Sequence, residues 1–97
     1  MSWYRGKSAK LNAKKMRALY GRETDLPQFV VLETSGEALL QAPENPAVNV
    51  VLYNDAELVD ERNDFFFDDL RSAIQFCESD YGVLVSSWSD IEKWVEV

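Results

Sequence analysis

The segment Val48–Tyr53 (VNVVLY) constrains the fold more than any other stretch of this 97-residue chain. Its valines are branched at Cβ and favour the pleated backbone. Pro43-Glu44-Asn45-Pro46 breaks the chain before it, and Asn54-Asp55 suits a tight hairpin turn after it. Ala56–Arg62 then reads as the returning partner strand. Upstream, Pro27 opens a further strand, Gln28–Thr34 (QFVVLET). Ser35-Gly36 is a good two-residue turn, and Glu37–Ala42 returns as a strand, although Ala-Leu-Leu-Gln-Ala also has strong helix propensity.

Helical signals flank these hairpins. Residues 1–7 read as irregular, with Gly6 as a breaker. Ser8 caps a helix over residues 9–20 that Gly21 ends. Ala9, Ala13, Met16 and Tyr20 share one face of it, while Leu11 falls outside that face. After the hairpins, Asn63 or Asp64 caps a helix reaching Tyr81. Phe66, Leu70, Ala73, Ile74 and Cys77 recur along it at three- and four-residue spacing, a wide apolar face for a sheet. Gly82 fits the left-handed position beyond the helix, with Val83 as the apolar contact after it. Val83–Ser87 reads as a last strand. Ser89-Asp90-Ile91-Glu92 is a capping box that starts a short terminal helix, with Ile91, Trp94 and Val95 facing inward. The expected fold is α+β. It has a mostly antiparallel sheet of about four to five strands, one main helix packed on it, an N-terminal basic helix and a short C-terminal helix.

Charge is divided along the chain. Residues 1–22 hold Arg5, Lys7, Lys10, Lys14, Lys15, Arg17 and Arg22 and no acid. Residues 23–97 hold all 17 acids against Arg62, Arg71 and Lys93, so the net charge of −7 hides a cationic leading segment on an anionic remainder. This suggests a basic N-terminal arm or helix over 1–22 and an acidic α+β domain over 23–97. An acidic body repels nucleic acid and anionic membrane at long range and favours a basic protein partner.

Residue inventory narrows the chemistry. The chain has no histidine, which removes the commonest general base and metal ligand. Its one cysteine, Cys77, cannot form an internal disulfide and fits a reducing compartment. It lies on an apolar helix face with no Lys or His at close helical spacing to activate it. The four glycines, at 6, 21, 36 and 82, form no phosphate loop. Trp88 and Trp94 read as core packing. No apolar stretch resembles a secretory signal or a membrane span, so cytoplasmic location is the default expectation. No catalytic residue, cofactor or metal site is expected, and the chain is read as no enzyme.

Two surface features stay open as functional candidates. The first is the acidic run Asp55, Glu57, Asp60, Glu61, Asp64 and Asp68, followed by Asp69. It lacks the central glycine of a calcium loop, and three phenylalanines stand where ligands should. Its plain reading is a solvated edge strand and a helix cap, where charge blocks unwanted sheet pairing. Its functional reading is a partner-facing patch. Phe65 belongs with it: on a helix it sits about 100° off the apolar stripe and would anchor a partner, whereas at a strand end it would tuck under the sheet edge. The second feature is the basic stripe Lys7, Lys10, Lys14 and Arg17, with Trp3 and Tyr4 nearby for stacking on bases. Its plain readings are a solvated face or an arm docked on the acidic body.

The leading expectation is a non-enzymatic protein-interaction domain, immunity- or inhibitor-like or a regulatory adaptor, whose acidic surface meets a basic partner. The alternative is a nucleic-acid or ribosome-associated factor that contacts phosphate through the basic N-terminal helix. Unpaired strand edges permit a homodimer without requiring one.

Overall fold

The computed structural model of the protein describes residues 2–21, 26–89 and 94–97. Among these the fold is α+β, with five strands and three α-helices. The strands are β1 (Trp3–Lys10), β2 (Phe29–Ser35), β3 (Val48–Tyr53), β4 (Glu61–Phe67) and β5 (Val95–Glu96). The helices are α1 (Ala13–Tyr20), α2 (Gly36–Gln41) and α3 (Leu70–Asp80). The strands form one sheet in the order β4-β3-β2-β1-β5, and every pairing is antiparallel.

Side-chain alternation along β2 and β3 decides the layers. Val30, Leu32, Val48, Val50 and Leu52 point to one face and are fully buried there. Ala73 and Cys77 of α3, Met16 of α1, Tyr81, Val83 and Trp88 close over them as one core. Each fully buried aliphatic side chain contributes roughly 1.5–3 kcal/mol of transfer free energy before entropy is charged. Thr34 lies on the buried side as well, and its hydroxyl donates to the Ala47 carbonyl at 2.6 Å, so its polarity costs little. The opposite face carries a smaller cluster of Val31, Val51 and Tyr53, with Leu58 packed on it.

The N-terminal segment departs from expectation. Residues 3–10 are extended, where a helix over 9–20 and an irregular start were expected. The helix begins only at Ala13, because the Asn12 side chain accepts from the Lys15 backbone N–H at 2.9 Å. Leu11, off the expected helical face, lies instead in the strand-to-helix link and is buried. Within the basic segment 1–22, expected as an arm or helix, residues 3–10 enter the sheet: β1 pairs with β2 from Trp3 to Arg5 and from Ser8 to Lys10, and with β5 at Tyr4 and Arg5.

Further boundaries moved for local reasons. Glu37–Ala42 is not a strand, since the Ser35 hydroxyl accepts from the Ala38 N–H and starts α2. The expected two-residue turn at Asn54-Asp55 is a loop spanning Asn54–Asp60, and the strand after it is Glu61–Phe67 rather than Ala56–Arg62. The helix expected from residue 64 starts at Leu70, capped by the Asp69 carboxylate on the Ser72 N–H at 2.7 Å. Val83–Ser87 is not a strand either: Val85–Ser87 form a single 3-10 turn. Gly82 does adopt a left-handed conformation (φ 66°), and the Val83 N–H donates to the Cys77 carbonyl at 3.2 Å. The terminal helix expected from the Ser89–Glu92 capping box falls largely on residues 90–93, outside the described residues. Val95 belongs to β5 and is exposed, not inward.

Gly6 lies in β1 against the Trp94 ring, at the register irregularity between Arg5 and Ser8. A Cβ added there would sit 2.5 Å from the Trp94 ring. Gly6→Ala is expected to lower unfolding free energy by about 1–3 kcal/mol, because an indole cannot yield without repacking. Urea denaturation measures this. In a Trp94→Ala background the same substitution should cost much less, and an equal cost in both backgrounds would refute the clash.

Candidate functional site

The loop Asn54–Asp60 folds back over the open face of the sheet through its own acids. The Asp55 carboxylate accepts from the Val59 N–H at 3.1 Å and the Asp60 N–H at 2.9 Å. The Asn54 N–H donates to the Asp60 carbonyl at 2.9 Å, closing the loop. The Asn54 side-chain amide adds a bond to the Asp60 carboxylate at 3.2 Å. Leu58 takes a left-handed conformation (φ 59°), unusual for a residue with a Cβ. Its side chain thereby packs on the Val31, Val51 and Tyr53 cluster.

Arg5 fastens that loop. Its Nε lies 3.2 Å from Glu33 Oε2, and its Nη2 donates to the Tyr53 hydroxyl at 3.2 Å and to the Leu58 carbonyl at 3.1 Å. The Tyr53 hydroxyl in turn donates to Glu33 Oε2 at 2.5 Å. Burial, with the bond to Glu33, pushes the Tyr53 phenol up to about 12, against the opposing pull of Arg5. One N-terminal cation is thus neutralised within the fold, and β1, β2, β3 and the loop are joined at one point. Sequence reasoning missed this cluster, since its partners lie 28 and 48 residues from Arg5.

The remaining acids line an edge. β4 is the outermost strand beside β3. Glu61 stands opposite Tyr53 and Asp64 opposite Val51, so both project to the open face, and both are exposed. Glu57 is exposed in the preceding loop, and Asp68 is exposed at the junction with α3. Asp69 is occupied as the α3 cap, and the Ser72 N–H holds its carboxyl below the usual range. A seven-residue strand spans roughly 20 Å, so these carboxylates are strung out rather than gathered. Among the described residues, no cluster of carboxylates and thiols could hold a metal ion.

The exposed aromatic ring beside the acids belongs to a different phenylalanine. Phe65 faces the core opposite Val50, with its ring 5.3 Å from that of Phe76, so of its two readings it takes the tucked strand position and not that of an exposed anchor. Phe67 packs against the same Phe76 ring at 4.9 Å. Phe66 points the other way and is 66% exposed. Because β4 is a strand, one position decides which phenylalanine meets solvent.

The basic residues do not form one stripe. Lys7 and Lys10 lie on β1, whereas Lys14 and Arg17 lie on α1. Burial pushes the Cys77 thiol up to about 12, reinforced by Glu78 and Asp80, which leaves it unreactive at neutral pH. Among the described residues, no helix is long and apolar enough to cross a membrane.

Comparison with protein-family models, curated proteins and solved structures finds no match.

The Arg5–Glu33–Tyr53 cluster generates a paired prediction. Tyr53→Phe should cost about 1–3 kcal/mol, since Glu33 loses a donor while remaining partly buried. The phenol's folded value lies above its unfolded value near 10, so its contribution is full below pH 10 and disappears as pH rises toward 12. Urea titrations across this window should show wild type losing more stability than Tyr53→Phe. Parallel losses in the two proteins would count against the cluster.

Proposed function

We propose that the protein is a non-enzymatic interaction domain whose acidic β4 edge binds a basic site on another protein, as an inhibitor, immunity-like factor or regulatory adaptor. One observation carries the reading: Glu61 and Asp64 share the open face of an edge strand with the exposed ring of Phe66. The carboxylates would steer a cationic partner and speed association, and Phe66 would slow its departure by burying apolar area. Asp55, Glu57, Asp60 and Asp68 extend the negative field beyond the strand. Two strands separate β4 from β1, which places Lys7 and Lys10 on the order of 14 Å away from the β4 acids. That exceeds the screening length of about 8 Å at physiological salt, so these lysines leave the β4 field largely uncancelled. Arg62, the cation on β4 itself, has its guanidinium 5.1 Å from the Tyr20 ring centroid. The lack of histidine and the buried Cys77 support a binding role over a catalytic one.

Affinity capture from the native host, with wild type and two charge-reversal variants, tests this. Cationic proteins held by wild type should be lost from a variant carrying Glu61→Lys and Asp64→Lys. They should be retained by one carrying Lys10→Glu and Lys14→Glu. Association with a purified partner should slow by about tenfold between low and physiological salt, as expected for steering by charge. Capture of RNA or DNA that the second variant loses and the first retains would replace this reading with a phosphate-binding one.

A further inference from the structure

The two edges of the sheet are treated differently. Beyond β1, the chain supplies its own neighbours. The Ser8 N–H donates to the Ser89 hydroxyl at 3.0 Å, and the Ser89 N–H donates to the Ser8 carbonyl at 2.9 Å. The Val97 N–H donates to the Trp3 carbonyl at 2.9 Å, and β5 pairs with Tyr4 and Arg5. Beyond β4, no strand lies among the described residues. β4 is also long, seven residues against the two of β5, and contains no proline. A strand of that length presents a row of outward backbone groups that a second chain can pair with.

We propose that β4 is a receptor for an added strand: an extended, lysine- or arginine-bearing segment of the partner pairs along Glu61–Phe67. This rests on the acidic-edge reading and specifies how that edge is used. Backbone pairing would supply affinity and alternate side chains would supply selectivity, as in other modes of strand addition. On the open face β4 offers Glu61, Asp64 and Phe66 in turn, with the register shift near Tyr53 between the first two. An incoming strand therefore meets two carboxylates and then an aromatic ring. The matching segment carries cations at alternate positions followed by an apolar residue.

The same charges disfavour two of the ways in which a second copy of this chain could pair there. An antiparallel β4–β4 pair centred on Asp64 sets that carboxylate against its own counterpart, and a parallel in-register pair sets every acid against itself. Like charges directly opposite across strands are unfavourable, whereas opposite charges are favourable. Those two registers are thus disfavoured for a second copy, whereas a cationic strand meets opposite charge.

Short synthetic peptides added to the full-length protein test the inference. One alternates lysine with valine. A second has the same sequence and charge but carries N-methyl groups at alternate amides, which blocks strand pairing. A third replaces lysine with glutamate. The first is expected to bind about tenfold more tightly than the second and to slow amide hydrogen exchange across Glu61–Phe67, with the third showing no binding. Equal affinity of the first two, each weakened by Asp64→Lys, would overturn strand addition and leave the acidic-edge reading standing. Failure of the lysine peptide to bind, or equal binding by the glutamate peptide, would also overturn it. So would slowed exchange at β4 that rises with protein concentration in the absence of peptide, since a second copy would then fill the edge.

Discussion

Burying one face of an antiparallel sheet is the constraint from which the rest of this molecule follows. β2 and β3 turn Val30, Leu32, Val50 and Leu52 to the same side. A single helix of eleven residues cannot cover that width, so α1, Tyr81, Val83 and Trp88 share the task. The opposite face is left to a small apolar cluster under the Asn54–Asp60 loop, tied down by Arg5. Among the described residues, Phe66 and the β4 acids remain uncovered.

The fold was legible where one segment contained its own argument. β3 begins and ends at the residues its flanking breakers indicate, and Gly82 stops α3 by the backbone freedom that glycine alone supplies cheaply. Legibility failed where two local grammars fitted the same letters. Phe65-Phe66-Phe67 satisfies a helical stripe through Phe66 and a strand alternation through Phe65 and Phe67. Pairing with Val48–Val50 chose the second, and that choice is tertiary. β1 was hidden because its lysines and alanine are weak strand formers, held extended by neighbours on both sides. At Ser35-Gly36, turn and helix cap draw on the same serine chemistry, and the cap prevailed.

The candidate site was legible as composition and not as geometry. The acids were countable, yet their alignment along a strand depends on where the hairpin loop ends. Asp55 and Asp60 also do structural service in that loop, a double use that no spacing rule announces. The Arg5–Glu33–Tyr53 cluster required the register of three strands before its members could be matched. Its consequence for charge is direct: Arg5 answers an acid inside the fold, so the cationic count of the leading segment overstates what a partner would meet.

The pairing of β1 with β5 joins residues near opposite ends of the sequence. A ribosome must emit Val95 and Glu96 before Tyr4 and Arg5 gain their outer neighbours. The sheet therefore cannot close progressively during synthesis, and its first strand waits, half-paired, on its last. Such long-range closure costs loop-closure entropy before it is rewarded, and so slows folding relative to topologies built from local contacts. For the experimenter, a fluorophore at each end would report assembly of the sheet as a single proximity signal.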